Sequence, residues 1–299
     1  MEKLNEKETL FLRIYRRMLI ISKHISYETM YGLLDLLADI RIHHKLYNKN
    51  EKAILQYKNA YEGKTCFVIG NGPSLKISDL ERIKKAGYVC FASNKIYKCF
   101  DQTDWRPDFY ACTDTMVFTQ NWEEIFKEVN CVKFLSYLFK WHIDYGKWKK
   151  EDYLIIRYNV KYSKKVFPED VIRMSSGGSV TYVLIVLAWM MGFKTIYLIG
   201  CDHTYKFYET LQQKAGVTET TETVQGDYFV KDYMKAGEKM CIGDMSKVEG
   251  GYRKAKEHIE KNGGHIYNAT RGGVLEVFER KDLDEILRGA NYELDETQS

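Results

Sequence analysis

CFVIGNGPSL, residues 66–75, is the stretch on which the reading of this chain turns. Lys64 to Ile69 carries a short apolar run bounded by turn residues, which predicts a buried strand. At Gly70 the run breaks, and two glycines, an asparagine, a proline and a serine fill the next five positions. KISDLERIKKAG then has helical spacing and stops at Gly87. Glycine lets backbone approach a ligand closely, and a helix presents unpaired N–H groups in its first turn. The turn therefore suits a nucleotide phosphate or sugar, with any side chain at Gly72 expected to fill the ligand's space. It lacks the Lys-Ser/Thr ending of a Walker loop and the three-glycine spacing of the dinucleotide fingerprint. Taken alone, it would equally serve any tight strand-to-helix connection.

Outward from this stretch the pattern alternates. YVCFAS, PDFYACTD, CVKFLS, DYLIIRYN, FKTIYLIG and GHIYNAT predict strands; GGSVTYVLIVLAWMMG predicts a buried helix and KVEGGYRKAKEHIEKNG an amphipathic one. Such alternation implies an α/β, Rossmann-like fold with a mainly parallel sheet and helices on both faces. Ligands in these folds bind beyond the carboxyl ends of the strands. The loops after Ile69, Ala92, Cys112, Ile199 and Tyr267 are thus the ones to inspect. They read Gly70-Asn71-Gly72-Pro73-Ser74, Ser93-Asn94-Lys95, Thr113-Asp114-Thr115 and Gly200-Cys201-Asp202-His203, with Asn268 ending the last strand. RMSSGGSV, residues 173–180, sets Ser175, Ser176, Gly177 and Gly178 before the apolar helix, a second anion-receptive helix start with Ser176 as its capping residue.

The 299 residues, 45% of them hydrophobic and 29% charged, suffice for one sizeable core with an appendage. Residues 1–60 hold eleven Lys/Arg against seven Asp/Glu, which is the whole formal surplus of +4. Their helical spacing predicts an N-terminal helical extension that packs on the main domain or a second subunit, or meets an anionic membrane surface through Arg13, Arg16, Arg17 and Lys23. Residues 61–290 form the catalytic domain, with a polar lid over about 204–245, and 291–299 an acidic tail. Seven widely spaced cysteines, an odd number, point to reduced thiols in a cytoplasmic protein. The opening MEKLNEKE does not read as a secretory signal, and the longest apolar stretch, residues 180–193, is too short to span a bilayer.

VIGNGPSL, FASNKIY, WRPDFYACTD, SSGGSV, GFKTIYLIGCDHTY and IYNATRGGVLEVFER resemble the MptE-like family, named after archaeal 6-hydroxymethylpterin diphosphokinase and including motility-associated flagellin glycosylation factors. More distantly, the same motifs are similar to the sialyltransferases of glycosyltransferase family 42. The resemblance implies a Rossmann-like core and transfer of a sugar, a sialic or other nonulosonic acid, from a CMP-activated donor without a required metal. By the same resemblance Gly70, Asn71, Gly72, Asn94 and Asp114 line the nucleotide and donor sugar, with Ser74 in the same turn, and Ser175, Ser176, Gly177 and Gly178 lie opposite. Asp114 departs from the asparagine of the sialyltransferases, which puts its contact in doubt or hints at a bridging Mg²⁺. Tyr205 and Tyr208 would support the leaving phosphate.

His203 follows a strand end directly and suits the base that takes the acceptor's proton. The lid, residues 209–245, lacks the histidine that the sialyltransferases carry there. Asp202, Asp227 and Asp232 are the acids that would replace His203. Arg271 would pair with a phosphate or donor carboxylate, or with a surface acid. The expected partners are a CMP-sugar and a glycan, lipid-linked or protein acceptor in surface polysaccharide or glycoprotein synthesis, with no nucleic acid and with homo-oligomers open. Two alternatives stand: diphosphate transfer from ATP with Mg²⁺ to a hydroxymethylpterin, and a non-catalytic nucleotide-binding partner.

Overall fold

A computed structural model describes residues 36–136, 139, 153–156, 177–204 and 216–289. The chain divides into two compact units, Met1–Asn48 and Lys49–Ser299. The described part of the first holds a helical stretch over 36–43. In chain order the second unit's strands are β1 (Thr65–Ile69), β2 (Val89–Ser93), β3 (Phe109–Cys112), β4 (Val132–Ser136), β5 (Tyr153–Ile156), β6 (Thr195–Ile199), β7 (Gly216–Glu219), β8 (Lys239–Ile242), β9 (His265–Asn268) and β10 (Glu279–Arg280). Its helices are α1 (Lys49–Leu55), α2 (Ile77–Lys85), α3 (Thr115–Glu128), α4 (Val180–Met190) and α5 (Met245–Lys261).

Eight strands form one sheet in the order β10-β9-β6-β1-β2-β3-β4-β5, every neighbouring pair parallel. The α/β reading of the sequence is therefore correct. From β1 the chain builds outward through β2, β3, β4 and β5, then returns to place β6 on the other flank of β1. The reversal opens a crevice at the carboxyl ends of β1 and β6, where open α/β sheets bind ligands.

The central strands are buried on both faces: Cys66, Phe67, Val68 and Ile69 of β1 are fully inaccessible. One face packs α2, α3 and the stretch 283–289 through Leu80, Ile83, Phe118, Ile125, Leu283 and Leu287. The other packs α4 across β1, β2 and β3, with α5 against α4 and β9. Helix α4 contains Val180, Thr181, Val183, Ile185 and Val186, whose β-branching costs a few tenths of a kcal/mol each in helix propensity. Burial of Val183, Leu184, Ile185, Val186 and Leu187 contributes about 1.5–3 kcal/mol per side chain, so packing decides the conformation.

Sequence periodicity places the first boundary near residue 60, whereas α1 belongs to the second unit. Asn50 explains this: its Nδ2 donates to Ile155 O at 2.7 Å and its Oδ1 accepts from Ile155 N at 2.7 Å, imitating a strand pairing along β5, the last of the described strands on that side of the sheet. The segment read as a lid contains an antiparallel pair, β7 and β8, and a small core of its own, Val224, Tyr233, Met234 and Met240. It is fastened to the sheet by Lys95. That side chain is 1% exposed, and its Nζ donates to both carboxylate oxygens of Glu238, at 2.9 and 2.8 Å, and to Tyr233 O at 3.0 Å. Among the described residues no helix is long and apolar enough to cross a membrane.

Candidate functional site

A cavity of about 350 Å³ lies at the carboxyl ends of β1, β2, β3 and β6, within the size range of small-molecule sites. Its floor is Gly70, Asn71 and Gly72 after β1, Ser93 and Asn94 at the end of β2, Thr113 and Asp114 after β3, and Gly200 to Thr204 after β6. Gly178, Ser179, Val180 and Thr181 bring the start of α4 to one side; Asp227, Tyr228, Tyr233 and Met240 wall the other. Four of the five loops singled out in the sequence thus converge. The fifth braces them: Asn268 Oδ1 accepts from Thr270 N at 3.0 Å, Asn268 Nδ2 donates to Leu275 O at 2.9 Å, Thr270 Oγ1 accepts from Cys201 N at 3.1 Å, and Leu275 reaches the cavity lining.

The glycine turn serves the fold first. Gly70 N donates to Ile199 O and Gly72 N to Gly200 O, each at 2.8 Å. A Cβ on Gly70 would overlap the carbonyl oxygen of Gly200, and one on Gly72 would overlap the carboxylate of Asp202. Gly72 lines the cavity, and the room its missing side chain leaves is taken by the Asp202 carboxylate. Asp202 is a bracket: its Oδ2 accepts from Ser74 Oγ at 2.8 Å, and its carbonyl oxygen accepts from Val274 N at 2.8 Å. Burial pushes the Asp202 carboxyl up and the Ser74 bonds pull it back.

Among the described residues, three buried side-chain atoms that line this cavity have no hydrogen-bond partner: Asn71 Oδ1, Asn94 Oδ1 and His203 Nε2. An unmade bond of this kind costs about 1–3 kcal/mol, so their convergence marks a place where polar groups are held for something else. Asn71 Nδ2 donates to Ser93 O at 3.2 Å, which aims the amide. Asn94 and His203 both sit in the left-handed region, at φ 52° and 60°. Asparagine tolerates that conformation; histidine there is uncommon, and such backbone clusters at functional sites. His203 Nε2 lies 3.5 Å from Glu249 Oε1, an ion-pair distance without hydrogen-bond geometry. Burial pushes the imidazole below its ordinary range, and Glu249 opposes that shift.

Three helices begin at the cavity, and they differ in charge. Asp114 caps α3, its Oδ1 accepting from Met116 N at 2.7 Å and Val117 N at 3.1 Å. Asp244 caps α5 in the same manner, accepting from Ser246 N at 3.1 Å. Helix α4 is capped by a neutral residue, Ser179, whose Oγ accepts from Tyr182 N at 3.1 Å and lies 3.1 Å from Tyr252 Oη. The α4 start alone of the three keeps its positive end without a capping acid, and the N–H groups of Val180 and Thr181 have no intrahelical acceptor. The cap is thus Ser179 and not Ser176. The sequence signal for it is a serine immediately before the apolar run, outcompeted in reading by the preceding Ser-Ser-Gly-Gly. Ser179→Ala is expected to cost about 1 kcal/mol; an unchanged melting temperature would remove Ser179 from the cap.

The remaining candidates divide. Gly178 lines the cavity, while Gly177, at φ 51°, packs its Cα against the Tyr182 ring, where a Cβ would overlap. Arg271 is elsewhere: its guanidinium forks onto Asp79 of α2, with Nη2 to Oδ1 at 2.9 Å, and Asp284 lies 3.9 Å away. Asp79 is 1% exposed, so its buried charge claims the arginine. Asp227 lines the cavity and Asp232 is exposed outside it. Ser175, Ser176, Tyr205 and Tyr208 lie outside the described residues. Among the described residues no three His, Cys, Asp or Glu side chains gather as a metal-binding group.

No curated protein matches the chain. Among solved structures, MAf glycosyltransferase from Magnetospirillum magneticum AMB-1 is similar over 81% of this chain at 15% identity and a TM-score of 0.46, and the chain spans 40% of that protein's length. The sialyltransferase CstII from Campylobacter jejuni, solved in complex with a substrate analogue, cytidine-5'-monophosphate, is similar over 74% of this chain and 86% of its own, at 16% identity and a TM-score of 0.42. The sequence profile of the family described as 6-hydroxymethylpterin diphosphokinase MptE-like matches residues 41–207, more than half of the chain, and the chain belongs to that family.

Proposed function

We propose that this chain transfers a sugar, a sialic or other nonulosonic acid, from a CMP-activated donor to a hydroxyl of a glycan, lipid-linked or protein acceptor. The observation that carries the reading is the polarity of the cavity. It offers two unpaired acceptors, Asn71 Oδ1 and Asn94 Oδ1, beside the imidazole of His203, and one helix start free of acid. The acceptors suit ribose hydroxyls or the cytosine amine, and the α4 start suits the phosphodiester or the sugar carboxylate.

Charge separates this reading from its main rival. A triphosphate is handled by Mg²⁺ together with a Lys or Arg clamp. Among the described residues no lysine or arginine lines the cavity. A CMP-sugar brings far less charge, within the scale of one helix start, equivalent to roughly half a positive charge, supported by the neutral hydroxyls of Ser179 and Tyr252. In the transfer, the acceptor oxygen bonds to the anomeric carbon while its proton passes to His203. The bond from that carbon to the phosphate oxygen breaks, and CMP leaves with the electron pair. Tyr205 and Tyr208 remain candidates to hold the departing phosphate.

The second reading, diphosphate transfer from ATP to a hydroxymethylpterin, is favoured by Asp114, Asp202 and Asp227 reaching one cavity. Asp114 is engaged as a cap and Asp202 by Ser74, and Asp227 is not free either. Chromatography of the nucleotide products decides between them. CMP released from a CMP-sialic acid without Mg²⁺ is the expected result. AMP formed from ATP and 6-hydroxymethylpterin with Mg²⁺, and no CMP, would replace this reading with the second.

A further inference from the structure

Helix α5 reads from the sequence as an amphipathic cover, yet its first two turns reach the site. Glu249 Oε1 stands 3.5 Å from His203 Nε2, an atom that is wholly buried and has no hydrogen-bond partner. The histidine side chain is 8% exposed and the glutamate 35%, so the imidazole is fixed and the carboxylate keeps room to adjust. The other carboxylate oxygen is engaged one turn along the helix, where Oε2 accepts from Arg253 Nη2 at 2.6 Å. That bond turns Oε1 toward His203.

The groups around the imidazole leave Glu249 as its natural partner. From α5 come Glu249, Arg253 behind it, and the Tyr252 ring at 6.2 Å. From the histidine's own loop comes Asp202, whose Oδ2 is taken by Ser74. From the start of α4 comes the neutral hydroxyl of Ser179, which is occupied with Tyr182 N and Tyr252. A small rotation of the half-exposed glutamate closes 3.5 Å to hydrogen-bond length.

We propose that Glu249 is a positioning residue for His203: its Oε1 accepts the Nε2–H of the neutral imidazole, which leaves Nδ1 as the basic nitrogen, and Arg253 sets the carboxylate in place. The inference rests on His203 being the base of the transfer proposed above. The acceptor's proton passes to Nδ1 as the acceptor oxygen bonds to the anomeric carbon. CMP departs with the electron pair of the broken bond. Glu249, unprotonated throughout, steadies the imidazolium.

The test is ¹⁵N-edited NMR of the histidine rings in the full chain, with His203 assigned through the His203→Gln spectrum. The neutral ring is expected to carry its proton on Nε2. Glu249→Gln should lower the midpoint of the His203 titration, because an adjacent anion is lost, and Arg253→Gln should raise it, because a cation is lost and the carboxylate is freed. Opposite shifts from two exposed-side variants are not what a loosened fold produces. Turnover of Glu249→Gln should fall by ~10²-fold or more with donor affinity retained. A proton resident on Nδ1, or a midpoint unmoved by both variants in proteins of unchanged melting temperature, overturns the pairing. The predicted tautomer and both shifts in a chain that turns over no CMP-sugar would keep the pairing and overturn the transferase reading instead.

Discussion

Replacing His203 by glutamine is expected to reduce turnover by about 10²–10⁴-fold, with donor affinity nearly unchanged. Glutamine fills similar space and cannot take a proton, so the loss should fall on the chemical step. The side chain follows the carboxyl end of β6, where the catalytic groups of open α/β folds gather, and it lines the cavity. The pH dependence follows from sign. A base works in its neutral form, and burial depresses the imidazole below its ordinary range with Glu249 opposing. The rate should therefore hold to lower pH than a free imidazole would allow, then fall as the ring protonates. Steady-state kinetics of both proteins across pH 5–8, the window in which histidine changes charge, checks this. Near-normal turnover of the variant throughout would move the base to an acid of the cavity, Asp202 or Asp227.

Gly70→Ala is expected to damage the fold more than any other single methyl addition at the site. The new Cβ would meet the Gly200 carbonyl oxygen, and the contact is backbone against backbone. Neither side can swing away, because Gly70 N is bonded to Ile199 O and Gly72 N to Gly200 O. Overpacking typically costs about 1–3 kcal/mol, and a backbone clash belongs at the upper end of that range, which at ~2–4 °C per kcal/mol for a chain of this size lowers the melting temperature by roughly 6–12 °C. Thermal unfolding of a purified variant measures it. A melting temperature within a degree or so of wild type would mean that the β1 and β6 ends separate easily, and that the crevice is not built as described.

What could be read from the sequence, and what could not, divides along physical lines. Strands such as β1 and β6 announce themselves through apolar runs that end in small polar residues, and the crevice between them follows from those ends. Asn71 and Asn94 are legible as cavity residues because an asparagine just past the end of a buried strand has few structural tasks. Which of its two expected partners Arg271 takes could not be read, because the acid it pairs with, Asp79, is nearly 200 positions away and buried in a helix that looks polar. What Gly72 makes room for could not be read: a glycine that accommodates a protein carboxylate, here that of Asp202, is spelled the same as one that accommodates a ligand. Ser179 was hidden by the serines just before it. Glu249 and Tyr252 leave no signal, since their spacing on α5 is that of any amphipathic helix. The Lys95–Glu238 fastening joins residues that only the folded lid brings together.

The most direct test of the central claim is a thermal-shift panel of CMP, CDP, UDP, GDP and ATP, each with and without Mg²⁺, on the unmodified chain. A ligand held at 100 times its dissociation constant stabilises the native state by about 2.7 kcal/mol, a rise of roughly 5–10 °C here. The account predicts that CMP raises the melting temperature without Mg²⁺, and by more than UDP or GDP. Stabilisation by ATP in the presence of Mg²⁺, with no response to CMP, would contradict it.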